Sequence, residues 1–154
     1  MSSYVERVLQ SGEQVRLLAT LHWILYVPGV LVLICALAVW LYAGSIPGGE
    51  TMWTIVAGVL AAIGVIMLCR AWFERWVTEI AVTDRRVIFK TGFIRRDTNE
   101  MQMDKVESVR VDQSILGRIF DYGDVTVLGT GKGEFTRLKT IAAPIEMRNQ
   151  ITGV

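Results

Sequence analysis

The residues able to do chemistry are few and badly spaced for it. His22 is the only histidine, so no second imidazole is present to complete a metal site or a catalytic pair. Cys35 and Cys69 fall one in each of two long apolar runs. In a helical hairpin they would lie several turns apart in depth, too far for a disulfide, so both read as small apolar residues in packed helices. Gly129, Gly131 and Gly133 have the look of a phosphate loop. They lack the Lys-Ser/Thr tail and following helix that such a loop needs, and a hairpin tip is expected instead. No nucleophile stands beside a base, and the apolar runs carry no paired carboxylates. Catalysis, a bound metal and a cofactor are therefore not expected. Net charge is +1, which provides no global field for nucleic acid.

The elements that must position everything else are the apolar runs. Leu21 to Tyr42 has no charged side chain, and Met52 to Phe73 is interrupted only by Arg70. Each run is about 22 residues, or about 33 Å as a helix, against roughly 30 Å of bilayer hydrocarbon. The link from Ala43 to Thr51 is rich in Gly and Pro and suits a turn. A soluble core helix keeps a polar face, and Val30 to Trp40 has none. A chain of 154 residues also lacks the mass to wrap two such helices. These runs explain the 52% apolar content.

The expected organisation is a cytoplasmic N-terminal segment (1–20), a transmembrane hairpin (21–75, with spans at about 21–43 and 52–73) and a cytoplasmic β domain (76–154). Met1 to Thr20 carries Glu6, Arg7, Glu13 and Arg16 and has no apolar core, which argues against a signal peptide. Tyr4, Val8, Val15 and Leu18 suit an amphipathic lead-in. The alternation within Glu13–Leu18 equally suits a strand, and the sequence alone does not choose. Trp23, Tyr26, Trp40 and Tyr42 on the first run, and Trp53, Trp72 and Trp76 on the second, match interfacial aromatic belts. His22 is expected at headgroup level, and Pro28 is expected to kink the first helix. Ala57 with Ala61, and Gly58 with Ala62, are spaced for close helix packing, either within the hairpin or against another subunit. Arg7, Arg16, Arg70, Arg75, Arg85 and Arg86 flank the runs, whereas their link has no Lys or Arg. Both termini are therefore expected in the cytoplasm.

From Trp76 the periodicity changes to alternation. Ile80, Val82, Val87 and Phe89 point one way, across a turn at Thr83-Asp84-Arg85-Arg86. Further strands are expected at Ile94–Gln102, Lys105–Asp112, Val125–Leu128 and Phe135–Ala142. A helical loop lies within Gln113–Phe120 and a turn at Asp121–Asp124. Gly123 is expected to supply a positive φ there, and Asp121 or Asp124 to bond nearby amides. Pro144 opens a terminal helix, Ile145–Ile151. The expected fold is α+β: a helical hairpin, then a curved antiparallel sheet, barrel-like or a sandwich, closed by a C-terminal helix.

Four linked stretches carry a resemblance: Thr83-Asp84-Arg85-Arg86-Val87-Ile88, Gly92-Phe93-Ile94, Met103-Asp104-Lys105-Val106-Glu107-Ser108-Val109, and Gln113 through Val125. In this order they resemble the bacterial pleckstrin-homology-like membrane proteins of the second bacterial class, over about Val77 to Ile151. The resemblance implies a PH-like barrel with one C-terminal helix, acting as a binding module. In eukaryotic relatives a basic first hairpin holds phosphoinositide headgroups. Arg85, Arg86 and Lys90 stand in the corresponding hairpin, with Arg95 and Arg96 just beyond, and their fixed charge would serve phosphate recognition. Asp84 and Asp97 flank them. Two roles follow as expectations. One is a non-catalytic scaffold, adaptor or accessory subunit that forms a homo-oligomer or joins a larger membrane complex. The other is an anionic-lipid binding module.

Overall fold

The computed structural model describes residues 8–45, 50–91, 97–130 and 135–153. Arg95, Arg96, Gly131, Lys132, Gly133, Tyr4, the 46–49 part of the link and the Gly92-Phe93-Ile94 stretch lie outside the described residues. The contacts divide the chain into two units. One joins residues up to His22 with those from Arg75 onward, and the other is Trp23–Glu74.

The second unit is the hairpin. A short 3-10 turn, Trp23–Tyr26, leads into α1 (Val27–Ala43), and α2 runs from Glu50 to Val77. Counted with its 3-10 turn, the first helix (Trp23–Ala43) is long and apolar enough to cross a membrane, and so is α2. Pro28 falls in the first turn of α1, where its missing N–H has no helical partner to lose, so it starts the helix instead of kinking it. The buried positions are Gly29, Ala36 and Ala43 on α1, and Ala57, Gly64 and Ala71 on α2. Both sets repeat every seven residues, the period of a left-handed helix pair. A Cβ on Gly64 would lie 2.7 Å from Leu33 Cδ2 and 3.3 Å from the Gly29 carbonyl, so the backbones approach closely there. The large aliphatics point outward instead, among them Leu31, Ile34, Leu37, Ile55, Val59 and Ile66.

Among the described residues the first unit holds seven strands in two antiparallel sheets. One has the order β1 (Val15–Ala19), β2 (Glu79–Thr83), β3 (Arg86–Thr91), β4 (Asp97–Gln102). The other has the order β5 (Val106–Asp112), β6 (Tyr122–Gly129), β7 (Phe135–Ala142). The strand reading of Glu13–Leu18 is the one observed: Leu18 pairs with Ala81 and Ala19 with Ile80. The N-terminal segment is thus part of the β unit, and β1 and β2 are sheet neighbours joined only through the hairpin.

Inside, Ile80, Val82 and Val87 from the first sheet and Val125, Val127 and Leu138 from the second are buried. Ala81 and Ile88, on the opposite face, are also fully buried, with Leu9 packed over them. The space bounded by Val87, Phe89, Met101, Val127 and Leu138 is about 10 Å³, enough for roughly one water. A bridge between Leu21 and Ile141 ties the end of β1 to the second sheet. After the short helix α3 (Ile115–Ile119), the strand begins already at Tyr122 instead of a turn. The C-terminal helix α4 (Pro144–Thr152) buries Pro144, Met147 and Ile151 and touches β5, β6, β1 and β2.

Candidate functional site

Strand direction sorts the candidate residues between two ends of the β unit. β1 runs toward Ala19 and the chain leaves at His22; β2 begins at Glu79, just after α2 ends at Val77. That is the exit end. Lys90 pairs with Glu79 there, and Tyr122 with Ala142. The Asp84-Arg85 turn joins the other ends of β2 and β3, beside Gln14 and Met103. Arg85 and Arg86 are therefore one sheet length from Lys90, and the described basic residues do not form one cluster.

Arg86 is held inside the unit. Its Nε donates to Glu13 Oε1 at 3.0 Å and its Nη2 to Glu13 Oε2 at 2.8 Å. Glu13 also accepts from the Thr83 hydroxyl at 2.7 Å and from the Gln10 amide at 2.9 Å. Four donors thus saturate a carboxylate whose side chain is 0% exposed. Arg86 further donates to Glu100 Oε2 on β4 and to the Val8 carbonyl, each within 2.9 Å. The Arg86 hydrogen bonds hold the Glu13 carboxyl down at about 2, although burial pushes it up. Glu13 in turn pushes the Arg86 guanidinium above its ordinary value, so both stay charged.

The neighbouring cations are placed differently. Arg85 is exposed at the turn, with Nη1 3.5 Å from Gln10 Oε1. Asp84 receives the Gln14 amide at 3.0 Å and donates its own amide back to the Gln14 carbonyl, fastening the N-terminal segment to the turn. Lys90 pairs with Glu79 at 3.2 Å. Of the helix-packing residues, Ala57 is buried and Ala61 partly so, on the seam. Gly58 and Ala62 are exposed, and a Cβ on Gly58 would meet nothing within 4 Å.

Two further expectations are corrected. His22 belongs to the β unit: it is buried, its ring stacks on Tyr122 at 5.3 Å, and its amide donates to the Thr140 carbonyl. The positive φ falls on Asp121, not Gly123. Gly123 is needed for closeness, because a Cβ there would come within 2.8 Å of Gln113 Cγ and the Asp112 carbonyl. Asp124 does bond a backbone amide, that of Thr140, and also Arg137. It thereby fixes the irregular register between Gly123 and Val125, where Thr140 takes a positive φ.

Sequence reasoning missed two features. Glu13 has no local signal, since its partner is 73 residues away. The outward face of the second sheet carries a shallow depression of about 460 Å³, lined by Ser108, Arg110, Asp112, Thr126, Leu128 and Arg137. Alternation could have found it, because these residues alternate with the inward valines. Among the described residues no group of three His, Cys, Asp or Glu side chains could hold a metal.

Neither the characterised proteins nor the solved structures contain a match to the chain. The family model described as Bacterial PH domain matches residues 15–152, from the first residue of β1 to the last of α4 and through the inserted helices. That span takes in both halves of the β unit, so the chain belongs to the bacterial PH domain family.

Proposed function

We propose that the protein is a membrane-anchored, non-catalytic adaptor whose β unit binds protein partners at the cytoplasmic face of a bacterial inner membrane. Membership of a PH-like family suggests a binding module. The observation that carries the anchoring is the inverted burial of the hairpin: Gly and Ala fill the seam while Leu, Ile and Val face outward. In water that surface would be a large exposed apolar patch; in lipid it is the expected one. The absence of Lys and Arg between the helices supports cytoplasmic termini.

The binding surface is the open one. The interior void is too small for a ligand, whereas the face around Arg110 and Arg137 is shallow and bordered by the edge strand β5. Such an edge and face suit a second copy or a subunit of a larger complex. A photo-crosslinking residue replacing Arg110 in the full chain, in native membranes, should give adducts above the monomer mass. A monomer-only pattern at native expression overturns the adaptor reading. Recovery in the soluble fraction after alkaline carbonate overturns the anchoring.

The anionic-lipid alternative is favoured by one placement, that of Lys90 at the exit end. It predicts binding that weakens with salt and depends on anionic lipid, with Lys90→Ala weakening it more than Arg85→Ala. Equal binding to neutral and anionic vesicles overturns it.

A further inference from the structure

The two ends of the β unit differ in chemistry. At the far end the exposed residues include Arg85, Asp104, Lys105 and Glu107. At the exit end, α3 presents Ile115, Leu116 and Ile119 at 82%, 57% and 68% exposure. Ile145, at the start of α4, adds a fourth exposed aliphatic. A soluble surface spreads such residues singly; here three sit on one five-residue helix.

The helix is built to hold them out. Ser114 caps it, its hydroxyl accepting from the Gly117 amide at 3.0 Å. Gln113 Nε2 donates to the Tyr122 carbonyl at 3.2 Å. A Cβ on Gly117 would stand 2.6 Å from the Tyr122 carbonyl, so only glycine lets α3 sit this close to β6. Tyr122 in turn stacks on His22, the residue before Trp23. The same end therefore carries α3 and the outgoing chain, with no residue of slack between His22 and the 3-10 turn that opens at Trp23. The return is nearly as short: Thr78 alone separates α2 from β2.

We propose that α3 is a third membrane contact, with Ile115, Leu116 and Ile119 seated in the headgroup–acyl boundary of the bilayer that the hairpin crosses. The proposal rests on the anchoring reading above. Lipid is the occupant because the chain passes from this end into the apolar helices with at most one residue between, and Trp23 and Trp76 stand at the helix limits. Apolar side chains flanked by a cation are what that boundary accepts, and Arg118 on the same helix is exposed and able to meet an anionic headgroup.

The test uses the full chain with Cys35→Ala and Cys69→Ala, carrying an environment-sensitive fluorophore on Ile115→Cys, in lipid nanodiscs. Lys105→Cys at the far end is the control, and Ile119→Cys repeats the measurement should the first variant fold poorly. The expected result is blue-shifted emission at Ile115, quenching by shallow spin-labelled lipid, and at least fivefold protection from iodide relative to Lys105. Iodide quenching equal at the two sites overturns the proposal. Protection without lipid quenching also overturns it, since protein and not lipid would then cover α3. The anchoring is read separately, by flotation of the same variant with vesicles after alkaline carbonate. A chain that floats with a solvent-exposed Ile115 probe refutes the α3 contact alone, and a chain that fails to float refutes the anchoring.

Discussion

The hairpin and the β unit bury opposite kinds of residue. In the hairpin, Gly29, Ala36, Ala43, Ala57, Gly64 and Ala71 are buried and the aliphatics face out. In the β unit, Ile80, Ile88, Leu138, Ile141 and Met147 are buried while Arg85, Lys105, Glu107 and Arg110 are exposed. The two also differ in what holds them together. The hairpin relies on close approach of its two backbones, which small residues at the seam permit. The β unit relies on apolar burial, and then spends one buried ion pair on joining its N-terminal segment to β3 and β4. Breaking such a pair on one side leaves a buried charge without its partner, so it fixes which segment belongs where.

Four experiments break or sharpen that contrast. The largest effect is expected from Arg86→Ala, which strands the Glu13 carboxylate and should destabilise the β unit by about 3–5 kcal/mol. All five tryptophans lie between residues 23 and 76. Hydrogen exchange of β1 to β4 should therefore rise while the tryptophan fluorescence of the hairpin stays unchanged; loss of both signals together would erase the contrast. Replacing Glu13 and Arg86 together by leucine and methionine should recover much of the loss.

Acid comes next. Glu13 is held at about 2 in the folded protein against 4.5 ordinarily. Its contribution is therefore full above about pH 4.5 and is lost as pH falls toward 2. At 1.36 kcal/mol per pH unit the loss is on the order of 3 kcal/mol. Chemical unfolding followed at pH 6 and pH 3 should show about 2 kcal/mol of it in the β unit, and Glu13→Gln should flatten the dependence. Third, Gly64→Val inserts a branched side chain where a Cβ alone would be 2.7 Å from Leu33 and 3.3 Å from the Gly29 carbonyl. A cost of about 1–3 kcal/mol is expected, seen as shifted tryptophan emission with hydrogen exchange in β2–β7 unaltered. Gly58→Val, where a Cβ would meet nothing, should be tolerated as a single-chain packing change. Smallest is Arg85→Ala, at an exposed turn, expected within about 0.5 kcal/mol by thermal unfolding.

Much of this was legible in the sequence. The apolar runs fixed the hairpin, and alternation placed β2 to β7 to within a few residues, because those signals are local. The sequence does not decide β1, for a physical reason. It is only five residues long, Val15 and Leu18 are both exposed, and its partner lies beyond a 59-residue insertion (20–78). The second buried face of β2 and β3 was hidden too, since alternation reads one face and Leu9 covers the other. The small-residue pairs at Ala57/Ala61 and Gly58/Ala62 were equivalent as spacings. Only the seven-residue repeat shared with Gly64 and Ala71 separates the seam from the outside. Arg86 read as an open cation because nothing near it in the chain announces Glu13.

The split of β1 from β2 also governs how this molecule is made and unmade. During translation the first strand leaves the ribosome well before its neighbour exists, so both helices must be synthesised before the sheet can close. A fragment starting at Trp76 would lack β1, Leu9 and Glu13, and any attempt to prepare the β unit by itself must graft residues 8–22 back on through a short connector. By the same logic, a protease that nicked the turn between the helices would sever the polypeptide and still free nothing, because each half keeps one strand of the clasp.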